Sequence, residues 1–132
     1  MEQLIYISTS HTEPALNVVH DILAVSRRNN RADDLTGLLI VGGRRFLQVL
    51  EGPRTSLDAT YRRIAADDRH FAMVKLSRKL ITKRSFPDWE MGYHQGAGGG
   101  LVEIVERLSE PVDDPCLRAE IRGFAQLHSK AA

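Results

Sequence analysis

At 132 residues and a net charge of +1, the chain is sized for one domain and has no charge excess favouring nucleic acid or an anionic membrane. Hydrophobic residues make up 42% and charged residues 27%, an ordinary globular balance. The single cysteine, Cys116, excludes an intrachain disulfide framework, and the five histidines lack metal-ligand spacing. No apolar run approaches the roughly 20 residues of a membrane-spanning helix, and no signal-peptide layout precedes the first strand. A soluble cytoplasmic protein is the expectation. The basic pairs Arg27-Arg28, Arg44-Arg45 and Arg62-Arg63 are scattered among acids and read as solvated faces.

Gln3 to Ser8 reads as a buried first strand, with Leu4, Tyr6 and Ser8 on one face and Ile5 and Ile7 on the other. Thr12 suits a helix N-cap and Pro14 its first turn. The helix is predicted to run to about Asn29, with Leu16, Val19, Leu23 and Ser26 as its inner stripe and Arg27 and Arg28 in its last turn. Residues 29–34 break it. From Thr36 to Glu51 the pattern is two strands around a Gly42-Gly43 turn, stopped by Gly52-Pro53. Thr55, with Asp58 three residues on, is a variant capping box for a second helix to about Ala66, with Leu57, Tyr61, Ile64 and Ala65 inward.

Met73 to Ile81 reads as a fourth strand with Val74, Leu76 and Leu80 alternating, and Trp89 to His94 as a short fifth. The order β-α-β-β-α-β, with that extra strand, is an α+β ferredoxin-like arrangement: an antiparallel sheet with both helices on one face. Gly96 to Gly100 is a flexible break. The amphipathic segments Leu101–Leu108 and Cys116–His128 follow, and should cover the opposite sheet face through Leu117, Ile121, Phe124, Ala125 and Leu127.

Gln48 stands out in the third strand, since Phe46, Leu47, Val49 and Leu50 around it are all apolar. A buried primary amide has two donor hydrogens and an acceptor oxygen to satisfy, and each group left unpaired costs roughly 1–3 kcal/mol. Gln48 therefore has a structural partner or faces a polar ligand. Tyr6 is the matching polar group in the first strand, and in a ferredoxin-like sheet those strands are neighbours. Alone, the two read as a self-satisfied core pair. Asn29 and Asn30, at the end of the first helix, could hold the edge of a heterocycle or serve as a helix C-cap. Trp89 and Met91 alone read as core packing. Cys116 reads as a small apolar residue of the tail helix.

Taken together, these residues resemble the BLUF family of blue-light sensors using FAD. The resemblance covers roughly Met1 to Tyr93 and stands on several motifs in order: LIYIS with Tyr6, SRRNN with Asn29 and Asn30, TGLLI from Thr36, FLQVLEGP with Gln48, YRRI with Arg63, DDRH from Asp67, and FPDWEMG with Trp89 and Met91. It implies a flavin-binding domain over residues 1–95, with residues 96–132 as a Gly-rich break and C-terminal helical cap. The implied cofactor is noncovalent FAD, with FMN or riboflavin as alternatives. Its ring would slot between the two helices. By position, Asn30 would bond the pyrimidine edge, Asn29 would lie nearby, Arg63 would reach the same end, and Ile22 and Phe46 would line the pocket. Gln48 would stand between Tyr6 and the flavin.

The implied chemistry is a photocycle rather than enzyme catalysis. Excited flavin takes an electron from Tyr6, the proton follows through Gln48, and Gln48 ends in a changed orientation or tautomer. Trp89 and Met91, in the fifth strand, would carry the change outward. Nothing after Gly100 resembles a cyclase, a phosphodiesterase or a DNA-binding unit, so the expected output runs through an unidentified partner protein or an oligomer; exposed sheet edges suit a homodimer. Two rivals stand beside this reading. An acylphosphatase-like enzyme could enlist Arg63 with Asn29 or Asn30, but no glycine-rich anion cradle follows the first strand. A non-catalytic interaction module would keep Tyr6 and Gln48 as a structural pair.

Overall fold

The computed structural model describes residues 1–10, 16–42, 44–66, 70–86, 92–96, 106–107, 110 and 112–128. In chain order these form β1 (Glu2–Ser10), α1 (Leu16–Ala32), β2 (Thr36–Gly42), β3 (Arg45–Gly52), α2 (Arg54–Ala65), β4 (His70–Leu80), β5 (Gly92–Gly96) and α3 (Pro115–His128). The strands make one sheet in the order β4-β1-β3-β2-β5. Neighbours among the first four run antiparallel, the ferredoxin-like arrangement read from the sequence. The fifth strand departs from it: β5 lies parallel to β2, with Leu38 opposite Gly92.

Strand alternation divides the core in two. Leu4, Tyr6, Leu39, Val41 and Leu50 face α1 and α2, where Leu23 and Leu57 complete one buried cluster. Ile5, Leu38, Ile40, Leu47 and Val49 face the other way, against Phe86, Val112, Leu117, Ile121, Phe124 and Ala125. The sheet is therefore buried on both faces, and α3 covers the one the first two helices leave open. Close packing of β2 on β3 depends on Gly37, where an added Cβ would lie 1.9 Å from the Val49 carbonyl oxygen.

Several boundaries differ from the sequence reading. Helix α1 continues to Ala32, so Asn29 and Asn30 lie inside it and Arg31 is the basic residue of its last turn. It ends on Asp34, in the left-handed region at φ 58°, while the Leu35 N–H bonds the Asn30 carbonyl at 2.8 Å. That six-residue closure is a Schellman-type cap. Helix α2 starts at Arg54 after Pro53, with no side-chain cap, so Thr55 does not cap it. Asp58 instead pairs with Arg78 of β4 at 2.6 Å. Asp114 is the N-cap of α3, its Oδ1 accepting from the Cys116 N–H at 2.9 Å and the Leu117 N–H at 3.3 Å.

Four predicted core residues are outside. Val74 and Leu80 are 49% and 80% exposed because β4 is an edge strand, and Leu127 is 75% exposed beyond the stripe of α3 that meets the sheet. Ala65 is exposed, and Thr60 takes the buried position on α2. Cys116 is exposed in the first turn of α3 rather than packed. Thr12, Pro14, the Gly-rich break beyond Gly96 and most of the Leu101–Leu108 segment lie outside the described residues. No helix among the described residues is long and apolar enough to cross a membrane.

Candidate functional site

On the helix-covered sheet face two buried polar side chains meet. Tyr6 and Gln48 are opposed in the β1–β3 register. Both project to the α1/α2 side, since each sits two residues from a member of that cluster. The Tyr6 hydroxyl donates to Gln48 Oε1 across 42 residues of sequence. Tyr6 is 1% exposed and Gln48 9%. Burial first, and then the neighbouring Tyr61, push the Tyr6 phenol well above its ordinary value of 10.0. Tyr6 therefore stays a neutral donor, and any proton it releases has Gln48 as its immediate acceptor.

The glutamine amide can meet this phenol in either orientation. Its oxygen accepts from the O–H, as found; its NH2 could instead donate to the phenol oxygen. The amide therefore has both an acceptor and a donor to offer the phenol. Leucine could make neither bond, and glutamate would bring a charge.

Asn30, 1% exposed, is at the C-terminal end of α1. Asn29 is half-buried beside it. Arg63 of α2 pairs with Asp33, just past α1, at 3.6 Å, which brings the two helix ends together. Phe46 packs partly buried against the same cluster. The side chain of Ile22 and all of Trp89 and Met91 lie outside the described residues.

Thr60 was not singled out by sequence reasoning. It is 5% exposed, and its Oγ1 has no hydrogen-bond partner among the described residues. At 100° per residue, Leu57 points α2 at the sheet, Tyr61 turns toward β4, and Thr60 and Arg63 turn to the opposite side, toward α1. An orphaned buried hydroxyl on the side of α2 turned toward α1 suits a polar group held between the helices. The only signal in the sequence was a polar residue in the helical stripe between Leu57 and Ile64, and threonine is too common on helix surfaces for that to stand out.

Among the described residues no group of three or more His, Cys, Asp or Glu side chains is placed to hold a metal ion. Glu51, fully buried on the α3 side of the sheet, holds together Gln3, Ser85 and Phe86.

A family model for "Sensors of blue-light using FAD" matches residues 1–92. The chain is 34% identical over 83 residues to the blue light- and temperature-regulated antirepressor BluF of Escherichia coli, a match covering 63% of this chain and 21% of that protein. It is 31% identical over 94 residues to photoactivated adenylate cyclase subunit alpha of Euglena gracilis, covering 69% of this chain and 9% of that one. Among solved structures, the dark state of the BLUF protein BlrB superposes with a TM-score of 0.74 at 29% identity, covering 96% of both chains. The match thus spans about a fifth of the antirepressor and a tenth of the cyclase subunit, against 96% of the BlrB chain. With this match over residues 1–92 and this shared fold, the chain belongs to the BLUF family, the sensors of blue light that use FAD.

Proposed function

We propose that this chain is a non-catalytic blue-light switch in which Tyr6 and Gln48 perform the photochemistry and the sheet passes the result to α3. The Tyr6–Gln48 hydrogen bond on the helix-covered face carries the proposal. Asn30, Asn29, Thr60 and Arg63 hold the polar edge of the cofactor, with Ile22 and Phe46 against its ring. Bound FAD supplies blue-light absorption and, once excited, a one-electron acceptor. Tyr6 gives up an electron, and its phenolic proton moves to Gln48 Oε1, the atom it already bonds. On return of electron and proton, the Gln48 amide settles in its other bonded arrangement.

The packing behind β3 supports transmission through the sheet. Leu47 and Val49, the residues either side of Gln48, lie in the same core cluster as Leu117, Ile121 and Phe124 of α3. A turn of the Gln48 side chain that shifts β3 is therefore felt directly on the opposite face. Residues 1–95 act as the sensor and residues 96–132 as the cap whose packing light alters. The output goes to a partner protein or to a second copy of the chain, with Trp89 and Met91 as further carriers.

Absorption spectra of the purified protein, dark and then under blue light, test the reading. The expectation is a flavin spectrum that shifts slightly to the red and recovers in darkness. Gln48→Leu and Tyr6→Phe keep the colour and lose the shift. A colourless protein that takes up no added flavin sinks the proposal; a yellow one without a reversible shift removes the photocycle.

A further inference from the structure

Tyr6 is the inner end of a short row of side chains that reaches solvent. Tyr61 of α2 packs edge-to-face on it, with ring centroids 5.4 Å apart and planes at 90°. Lys75 of β4, the register partner of Tyr6 on the side away from β3, places its ammonium 4.5 Å from the centroid of the Tyr61 ring. Tyr61 is half-buried and Lys75 exposed. Both line a surface cleft of about 270 Å³ with Asp58, Arg62 and Arg78. Arg78 is neutralised there by Asp58 and Glu2, and the Arg62 Nε is held by the Asp58 carbonyl, so Lys75 is the cation set over the ring.

A second phenol against a photo-oxidised one is a hazard. Once Tyr6 has lost an electron, Tyr61, packed edge-to-face on it, is among the described residues the aromatic side chain in contact that can replace it. The Tyr6 hydroxyl is committed to Gln48, so Tyr61 cannot hand its proton to Tyr6 along with the electron, and the electron crosses alone. That step puts positive charge on the Tyr61 ring, directly beneath the Lys75 ammonium. A unit charge at this distance, even at the moderate effective dielectric of a protein surface, disfavours the transfer by more than ~10-fold.

Resting on the photochemical role of Tyr6 above, we propose that Lys75 over Tyr61 is an electrostatic gate that confines the electron vacancy to Tyr6, making both positioning residues of the photocycle. Without the gate, the transfer runs to completion. Tyr61 gives one electron to the Tyr6 radical and releases its phenolic proton to water. Tyr6 takes its own proton back from Gln48 and is restored, and the electron it first gave stays on the acceptor. The neutral Tyr61 radical faces the cleft, where two such radicals from two molecules join by a carbon–carbon bond between rings as dityrosine.

The test uses the full chain loaded with FAD, under repeated cycles of blue light and darkness. Lys75→Met keeps the side-chain length and removes the charge; Lys75→Arg keeps the charge. The expected result is that Lys75→Met loses recoverable spectral shift with each cycle and accumulates dityrosine at residue 61, mapped by mass spectrometry, severalfold above the parent protein. Lys75→Arg behaves as the parent, and Lys75→Met with Tyr61→Phe recovers full reversibility. In the dark protein, the ring current of Tyr61 shifts the Lys75 Hε resonance upfield, and Tyr61→Leu removes that shift. Parent-like cycling of Lys75→Met without cross-linking at Tyr61, in a variant that melts like the parent, overturns the gate and leaves the photoreceptor reading standing. A parent protein with no reversible shift overturns both.

Discussion

Glu51 Oε1 accepts the backbone N–H of Phe86 at 2.8 Å, and through this bond the strand bearing Gln48 holds the segment that follows β4. Its other oxygen takes the Ser85 N–H at 2.9 Å and the Gln3 amide at 3.0 Å. Phe86 in turn packs against α3. One fully buried carboxylate therefore joins β1, β3 and the residue 85–86 segment.

Glu51→Ala leaves three donors without their acceptor. Each costs roughly 1–3 kcal/mol when buried and unmatched. The expected loss is about 3 kcal/mol or more, read as a fall in the urea midpoint. A loss below about 1 kcal/mol would show that water replaces the carboxylate and that the clasp is dispensable.

Thr60→Val separates a cofactor contact from a buried leftover. If the hydroxyl bonds the flavin edge, valine weakens FAD binding about tenfold, the worth of one hydrogen bond of about 1.4 kcal/mol. Titration of flavin-free protein with FAD measures this. Unchanged affinity with a raised melting point would mean that Thr60 serves no ligand.

Asp114 makes α3 sensitive to acid. The Lys79 ammonium, foremost, and the N–H groups of Leu117 and Cys116 hold its carboxyl below the ordinary 3.8. The folded state thus binds the proton more weakly than the unfolded chain does. The stability this confers is fully present above pH 3.8 and is lost as the pH falls from there through the lower folded value. Asp114→Ala removes cap and ion pair at neutral pH, costing about 1 kcal/mol. Hydrogen exchange of α3 amides should rise in both cases; equal protection at pH 3 and pH 6 would count against the cap.

Asp34 occupies a left-handed position that glycine adopts without strain. Its ion pair with Arg84 Nη2 at 3.2 Å is on a side chain 80% exposed and contributes little, while the Arg84 bond to the Asp34 carbonyl survives substitution. Asp34→Gly should therefore stabilise the fold by about 0.5–1 kcal/mol with flavin binding unchanged. Destabilisation beyond that size in a urea titration would mean that the carboxylate matters more than the backbone.

What the sequence by itself determined was whatever repeats along the chain. The two-residue period placed Leu4 and Tyr6 on one face and Ile5 on the other, and marked Gln48 as a lone amide among apolar neighbours. The helical stripe of Leu117, Ile121, Phe124 and Ala125 announced a helix needing a sheet to cover. These follow from covalent geometry, which is the same wherever the segment ends up. Local signals failed where a distant group outbid them: Asp58 left its capping role for Arg78, and α1 ran past Asn29 because Asp34 and Leu35 close it. Val74 and Leu80 looked inward by period, yet an edge strand has no neighbour to bury them.

Only the tertiary structure decided the contacts that make a site. The bond from Tyr6 to Gln48, the Tyr61 ring on Tyr6, Lys75 over that ring and the orphaned hydroxyl of Thr60 each join residues far apart in sequence or depend on which way a helix is turned. Their positions are set when β1 inserts between β3 and β4 and α2 lies down on them. That is a property of the assembled sheet, and no single segment carries it.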